Sequence, residues 1–324
     1  MSDFHIVVFG SLNIDLVANS PHLPNPGETI TGDSFAMNLG GKGANSAIAI
    51  SRLGFPCQMV GRIGNDSFGN TLLQSLQDNQ VDTTGILIDN SVHTGVAMIT
   101  VDRAGENHII VIPEANGNLN ETDVQRLRRY LEGANFLLMQ LEIPLFVVEA
   151  AAKLAQTMGV KVILDPAPAQ TLPLSLYQQI DIITPNASEA EKLVGFPITD
   201  QQSAQKTAQY FQEKGVETPI ITLGNQGVYC ASGEERLFIP SFEVDTVIDT
   251  VAAGDAFNGA LAVALSQEMS LENALIFASA AGALTVTKSG AQSALPNQET
   301  LSNFLKNRSY SNPKSVVPPF NSPL

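Results

Sequence analysis

The stretch Phe136–Pro168, FLLMQLEIPLFVVEAAAKLAQTMGVKVILDPAP, decides the fold. FLLMQLE is an apolar run of strand length, PLFVVEAAAKLAQTMG has the length and composition of a helix, and VKVILDPAP returns to a second apolar run. Runs that are apolar throughout, rather than alternately, belong to strands covered on both faces, and a helix between two of them makes a parallel crossover. The rhythm continues outward in both directions. HIVVFG (5–10) precedes a helical segment at Gly43–Leu53, and CQMVGRIG (57–64) leads to SFGNTLLQSLQDN. IDIITPN (180–186) leads to ASEAEKLVG, and PIITLGNQG (219–227) follows a further helix. This alternation predicts an α/β fold, a mostly parallel sheet flanked by helices in a Rossmann-like three-layer sandwich.

Two segments break the rhythm. TGVAMITVDRAGENHIIVI (94–112) reads as a hairpin, and ETITGDSFAMNLGG (28–41) reads as extended. Strands drawn from about 12–37 and 94–112 therefore predict a small β lid over the carboxyl edge of the sheet, where open α/β sheets bind ligands. We expect one domain over 1–308 and a disordered tail over 309–324, SYSNPKSVVPPFNSPL.

Composition narrows the function. The chain has 324 residues, 44% hydrophobic, with 17 basic and 32 acidic side chains and a net charge of −15. No Lys/Arg block is present, which argues against nucleic-acid binding. Cys57 and Cys230 are far apart, and His5, His22, His93 and His108 lack metal-ligand spacing, so no disulfide framework or zinc site is expected. Without a leader pattern or a long apolar segment, a cytoplasmic protein that avoids membranes is the expectation.

Several short stretches carry candidate chemistry. In GSLNIDL, Asn13 and Asp15 stand two apart, on one side of an extended chain; they suit the hydroxyls of a polyol or a simple Asx turn. LGGKGANSA places Gly40, Gly41, Lys42, Gly43 and Asn45 at a loop-to-helix junction. It fits neither the Walker spacing, since Gly43 follows Lys42, nor the dinucleotide fingerprint, since Ser46 replaces the third Gly. What remains is a loop that a small ligand can approach, or a structural Gly-rich turn. Glu142, at the carboxyl end of a buried strand, needs a partner, a ligand or a helix to cap. Asn186 and Glu189 form a capping-box step. Thr222, Gly224 and Gly227 mark a turn that a phosphate could approach. VDTVIDTVAAGDAF (244–257) places Asp255 at the mouth of a helix behind small residues. There it is either a favourable first-turn charge or a base beside an anion site.

Together these segments resemble the PfkB-type carbohydrate kinase family, in its ribokinase branch. The signatures are GGKGANSAIAISRLG (40–54) and DTVAAGDAFNGAL (249–261), with MQLEIP, LDPAPAQ, DIITPNASEAEKL and ITLGNQGV in support. The resemblance implies ATP-dependent phosphorylation of D-ribose at O5, with Mg²⁺ and with K⁺ as activator. It implies Asp255 as general base, with the backbone of Ala252, Ala253, Gly254 and Asp255 as anion hole. Asn13, Asp15, Gly41, Lys42, Asn45 and Glu142 match its sugar pocket. Asn186, Thr222, Gly224, Gly227, Gly254 and Ser279 match its nucleotide contacts, and Glu189 an outer contact to Mg²⁺. Asp249, Val251, Thr285, Lys288 and Gly290 match its K⁺ site, mostly through backbone carbonyls. The lid implies a homodimer.

The chain departs from the pattern in three places. Ala252 stands where a Gly is common, which is tolerable if φ stays negative. Ala294 stands where Ser is common, removing one oxygen near the cation site, and Ser279 replaces a larger polar residue. The pocket segments carry one cation, Lys42, so a phosphorylated acceptor fits poorly, while fructose or deoxyribose remain alternatives to ribose. A sugar sensor that kept the fold and lost the reaction is the alternative outside catalysis.

Overall fold

The structure is a computed structural model, described over residues 5–307; the tail expected at 309–324 lies outside the described residues. The chain opens with β1 (His5–Phe9), β2 (Asn13–Ser20), β3 (Ser34–Gly40), α1 (Lys42–Arg52), β4 (Cys57–Gly64), α2 (Ser67–Asp78) and β5 (Asp82–Asp89). It continues with β6 (Gly95–Asp102), β7 (Asn107–Ile112), α3 (Glu121–Leu127), β8 (Ala134–Met139), α4 (Leu145–Met158), β9 (Lys161–Leu164) and α5 (Leu174–Tyr177). Next come β10 (Ile182–Ile183), α6 (Ala187–Val194), α7 (Gln201–Glu213), β11 (Thr218–Thr222), β12 (Val228–Ser232) and β13 (Glu235–Ile239). Three helices close the described chain: α8 (Ala253–Ser266), α9 (Leu271–Thr285) and α10 (Gln298–Asn307).

Nine strands form one sheet in the order β13-β12-β11-β10-β9-β8-β1-β4-β5. All neighbours are parallel except β11–β12 and β12–β13. Strand β1 sits at the switch point: the chain builds outward through β4 and β5 on one side and through β8, β9 and β10 on the other. Such a reversal opens a crevice at the carboxyl ends of the two central strands. Along β1 the residues alternate between two cores. Ile6 and Val8 pack with α1, α8 and α9, whereas Val7 and Phe9 pack with α4. Close packing of α8 on α1 depends on Gly259, where a Cβ would lie 2.9 Å from the Cβ of Ala49. That approach carries the start of α8 toward the start of α1.

The remaining four strands form the lid, in the order β3-β2-β6-β7. It is a mixed sheet, parallel between β2 and β6 and antiparallel elsewhere. Its pairing sets Asn38, Asp15, Ala97 and Val111 in one row and Met37, Leu16, Met98 and Ile110 in the next. Alternation sends the first row to one face and the second row to the other.

Behind the lid a buried charge cluster ties the edge of the sheet to α3. The Arg62 guanidinium donates to both oxygens of Asp123 at 2.8–3.1 Å and to Asp89 at 3.0 Å, and Arg126 donates to Asp123 at 2.8 Å. Asp123 is fully buried. Arg62→Met leaves it with half its cationic partners, and we expect a loss of about 3 kcal/mol in unfolding free energy. Urea denaturation monitored by circular dichroism measures it; a loss under about 0.5 kcal/mol would show that the cluster is dispensable.

Candidate active site

The crevice at the switch point is a cavity of about 380 Å³, roofed on one side by Ala97, Ile99, Ile109 and Val111 of the lid. Its floor begins with Glu142, just past the end of β8. Oε2 of Glu142 accepts from the Ser11 hydroxyl at 2.5 Å, the Lys42 N–H at 3.1 Å and the Asn13 amide at 3.4 Å. Glu142 does not cap the helix that follows, because α4 starts at Leu145, after Pro144, without a side-chain cap. It joins the ends of β1 and β8 to the first turn of α1. That junction needs Gly41: its φ is 87°, and a Cβ there would sit 2.7 Å from the Asn13 nitrogen.

From α1, Lys42 and Asn45 reach across to α8. The Asn45 amide donates to Oδ2 of Asp255 at 2.8 Å. Oδ1 of Asp255 is buried, accepts no hydrogen bond and lies 3.8 Å from the Lys42 ammonium. Asp255 is only 3% exposed, so this oxygen is a desolvated acceptor open to a proton from a bound molecule. Above it, the first turn of α8 is bare. No side chain caps the helix, the Ala253 N–H reaches only Thr250 O at 3.4 Å, and a Cβ on Gly254 would touch nothing. Uncapped N–H groups at a helix start form a site for negative charge. The condition of a negative φ at Ala252 is not met. The angle is 61°, in the left-handed region, at a cost of about 1 kcal/mol for a residue with a Cβ. Residues Val251, Ala252, Gly254 and Asp255 of this turn line the cavity.

Asn186 and Glu189 make the full capping box of α6 and also line the cavity. Thr222 lines the cavity beside Asn186, to which it forms a parallel bridge. Gly224 and Gly227, in the turn after β11, lie outside the cavity lining, as does Ser279, whose buried hydroxyl has no partner. Asp249 accepts from the N–H groups of Val251 and Gly290 at 3.0 Å each, and the Ile248 N–H donates to Val286 O. These bonds gather Asp249, Val251 and Gly290 at the end of α9, close to Thr285 and Lys288. Carboxylate and carbonyl oxygens are donors that suit a hard cation.

Sequence reasoning missed Asp165. It follows β9, is 4% exposed, and lies 3.7 Å from the Lys42 ammonium. An acid directly after a buried apolar run was the signal that exposed Glu142, and LDPAPAQ carries the same one. Asn258, one turn beyond Asp255, and Thr184 also line the cavity. Burial, then Glu142 and Asp255, push the Asp15 carboxyl up to about 7. Burial pushes Asp165 up to about 8 against the pull of Lys42. Burial alone would lower Lys42, yet Asp165, Asp255, Glu142 and Glu189 outweigh it and hold the ammonium above its usual range.

Residues 3–298 match the pfkB family carbohydrate kinases. The chain belongs to this family; it is a carbohydrate kinase. It is 44% identical to the ribokinase of Haemophilus influenzae over 93% of this chain and 98% of that one. A deoxyribokinase of Salmonella typhi is 32% identical over 93% and 98%. Arabidopsis thaliana ribokinase, solved with ribose and ATP, superposes with a TM-score of 0.87 at 32% identity, covering 93% of this chain and 98% of that one.

The raised value of Asp15 has a consequence for stability. From the ordinary 3.8 up to about 7, the unfolded chain has released a proton that the folded chain keeps, so stability falls as pH rises through this window. Asp15→Asn removes that dependence. We expect the Tm of Asn-substituted protein minus that of wild type to widen from pH 4 to pH 7 and then to level off. Differential scanning fluorimetry across pH 4–9 checks it; a constant difference would mean that Asp15 ionises normally.

Proposed function

We propose that the chain transfers the γ-phosphate of ATP to O5 of D-ribose, giving D-ribose 5-phosphate and ADP. The observation that carries this reading is the pairing of a free, buried oxygen of Asp255 with the uncapped first turn of α8. Oδ1 of Asp255 takes the proton of the O5 hydroxyl, while Asn45 holds the carboxylate through Oδ2. The oxygen attacks the γ-phosphorus in line as the bond to the β-phosphate oxygen breaks. Charge on the transferred group meets the N–H groups of the 252–255 turn. Lys42 stands beside Oδ1, 3.8 Å away, as its counter-charge.

Asn13, Asp15, Gly41, Lys42 and Glu142 bind the remaining sugar hydroxyls. Five carboxylates (Asp15, Glu142, Asp165, Glu189, Asp255) and one ammonium line the cavity. That balance suits a neutral sugar and opposes an acceptor carrying its own phosphate. Asn186, Thr222, Gly224, Gly227, Gly254 and Ser279 contact the nucleotide. Glu189 would hold Mg²⁺ through its water shell, and the ion when bound would neutralise phosphate charge. Asp249, with carbonyls of Val251, Thr285, Lys288 and Gly290, holds K⁺. Ala294, which is buried, offers no side-chain oxygen.

The protein works in the cytoplasm as a homodimer. Both cysteines are free and buried, and no helix among the described residues is long and apolar enough to cross a membrane. On the lid face turned from the cavity, Phe35 is 68% exposed, Met98 50% and Ile110 63%, an apolar patch that a second copy covers.

Release of ADP from Mg-ATP against D-ribose, 2-deoxyribose, D-fructose, adenosine and fructose 6-phosphate, with and without K⁺, tests the reaction. D-ribose should give the highest kcat/KM, and Asp255→Asn should lower kcat about 10³-fold. A preference for deoxyribose, in line with the Salmonella typhi relative, would keep the mechanism and change the acceptor. No turnover of any sugar by folded protein would leave a sensor. For the lid, the Met98→Asp, Ile110→Asp double variant should sediment as a monomer where wild type sediments as a dimer; identical sedimentation would place the contact elsewhere.

A further inference from the structure

We infer that Asn116 is a positioning residue of the sugar pocket: it fixes the Asn13 amide so that Asn13 meets the substrate as a hydrogen-bond donor. The inference rests on the sugar-kinase reading above. Asn116 lies in the short 3₁₀ turn Glu114–Asn118, directly after the last lid strand, and is 1% exposed. Nothing in EANGN distinguishes it from a surface-loop residue.

Its side chain copies a peptide unit. Oδ1 accepts from the Leu12 N–H at 3.0 Å, and Nδ2 donates to the Leu12 carbonyl at 3.0 Å. Backbone groups leave no choice of orientation, because turning the amide over would set N–H against N–H and oxygen against oxygen. The second hydrogen on Nδ2 therefore points at Asn13, and the atom it meets at 2.8 Å must be Oδ1. That orientation is also required at the far end, where the Asn13 Nδ2 faces the Glu142 carboxylate at 3.4 Å. Two amides in series are thus polarised by a backbone carbonyl at one end and a carboxylate at the other.

The consequence for recognition is specific. Asn13 is 3% exposed and lines the cavity, with its oxygen already engaged. Its fixed orientation turns Nδ2, with one hydrogen not directed at Glu142, into the group that donates toward a ligand, so the sugar atom it meets is an oxygen acting as acceptor. Hydroxyl hydrogens are left to Asp15 and Glu142. A site whose donors and acceptors are fixed in advance rejects ligands that would leave a buried polar group unpaired.

The same contact ties the sugar pocket to the root of the lid. Ala115 donates its N–H to His93 O, just ahead of β6, and Asn118 donates to Asp89 of the Arg62 cluster. Gly95, the first residue of β6, lies against the amide pair. A Cβ there would stand 2.3 Å from both Asn116 Nδ2 and Asn13 Oδ1. Only a residue without a side chain leaves this bond intact.

Steady-state kinetics at saturating Mg-ATP test the assignment, with D-ribose as the probe. Asn116→Asp keeps an acceptor for the Leu12 N–H but puts an oxygen against Leu12 O and Asn13 Oδ1. We expect its KM for the sugar to rise about 10- to 100-fold, with kcat within about threefold and KM for ATP within about twofold. Gly95→Ala, which removes neither amide, should shift the sugar KM the same way and carries the test if the Asn116 variant does not fold. In an Asn13→Ala background, Asn116→Asp should add less than about twofold. The assignment is overturned by an unchanged sugar KM in either folded variant, by a parallel rise in KM for ATP, or by an undiminished effect in the Asn13→Ala background. Failure of wild type to phosphorylate any sugar would instead remove the functional reading on which it rests.

Discussion

The ammonium of Lys42 is the charge on which the cavity depends. Asp165 and Asp255 face it from two different elements, at 3.7 and 3.8 Å, and both are almost fully buried. Without that cation, two acids at this depth would have no counter-charge. The position is unfavourable for the local helix, since a cation at the first residue of α1 opposes the helix dipole. Long-range contacts reverse that preference. Glu142, from the far side of the switch point, accepts the Lys42 N–H and so acts as a cap supplied by another strand. Helix, cap and counter-charge come from three separate regions of sequence, and the cavity exists only when all three meet.

That arrangement explains why the backbone carries so much of the site. A cavity with five acids and one ammonium has no spare side-chain cation for a triphosphate. Favourable potential must come from N–H groups, and those are useful only where side chains stay out of the way. Small residues at 252–254 serve this end, and the left-handed turn at Ala252 is the conformational cost. Close packing of α8 on α1 at Gly259 sets how far the N–H groups stand from Lys42. On the kinase reading, the same few ångströms separate the base from the transferred phosphoryl group.

Much of this was legible in the sequence. The strand–helix alternation gave the parallel sheet, and the lid followed from two stretches that broke the rhythm. Residues with a local signature were found readily: Asp255 at a helix mouth, Lys42 and Asn45 in a glycine-rich junction, Glu142 after an apolar strand. Asn116 carries no such mark, because its partners lie about a hundred positions away and its own segment reads as a turn. The left-handed φ at Ala252 was not legible, since Ala reveals nothing of a demand that is set by the fold. At Asn13 the sequence left polyol site and Asx turn open; its side chain bonds to Asn116 and Glu142, both about a hundred positions away or more.

The lid shows how little freedom such a site leaves. Alternation along β2 commits Asn13 and Asp15 to the cavity face and Leu16 to the opposite face in one step. A slip of one residue would turn both polar side chains outward and drive an apolar one over the carboxylates. Register therefore has to be fixed independently of any ligand. The bond from Asn116 to Asn13 and the contact at Gly95 fix it at the root, where the strands leave the main sheet. Upward from there, each residue that improves the inner face for a hydroxylated ligand places its neighbour on the exposed outer face. The apolar residues exposed on the outer face are the counterpart of a polar pocket on the inner one.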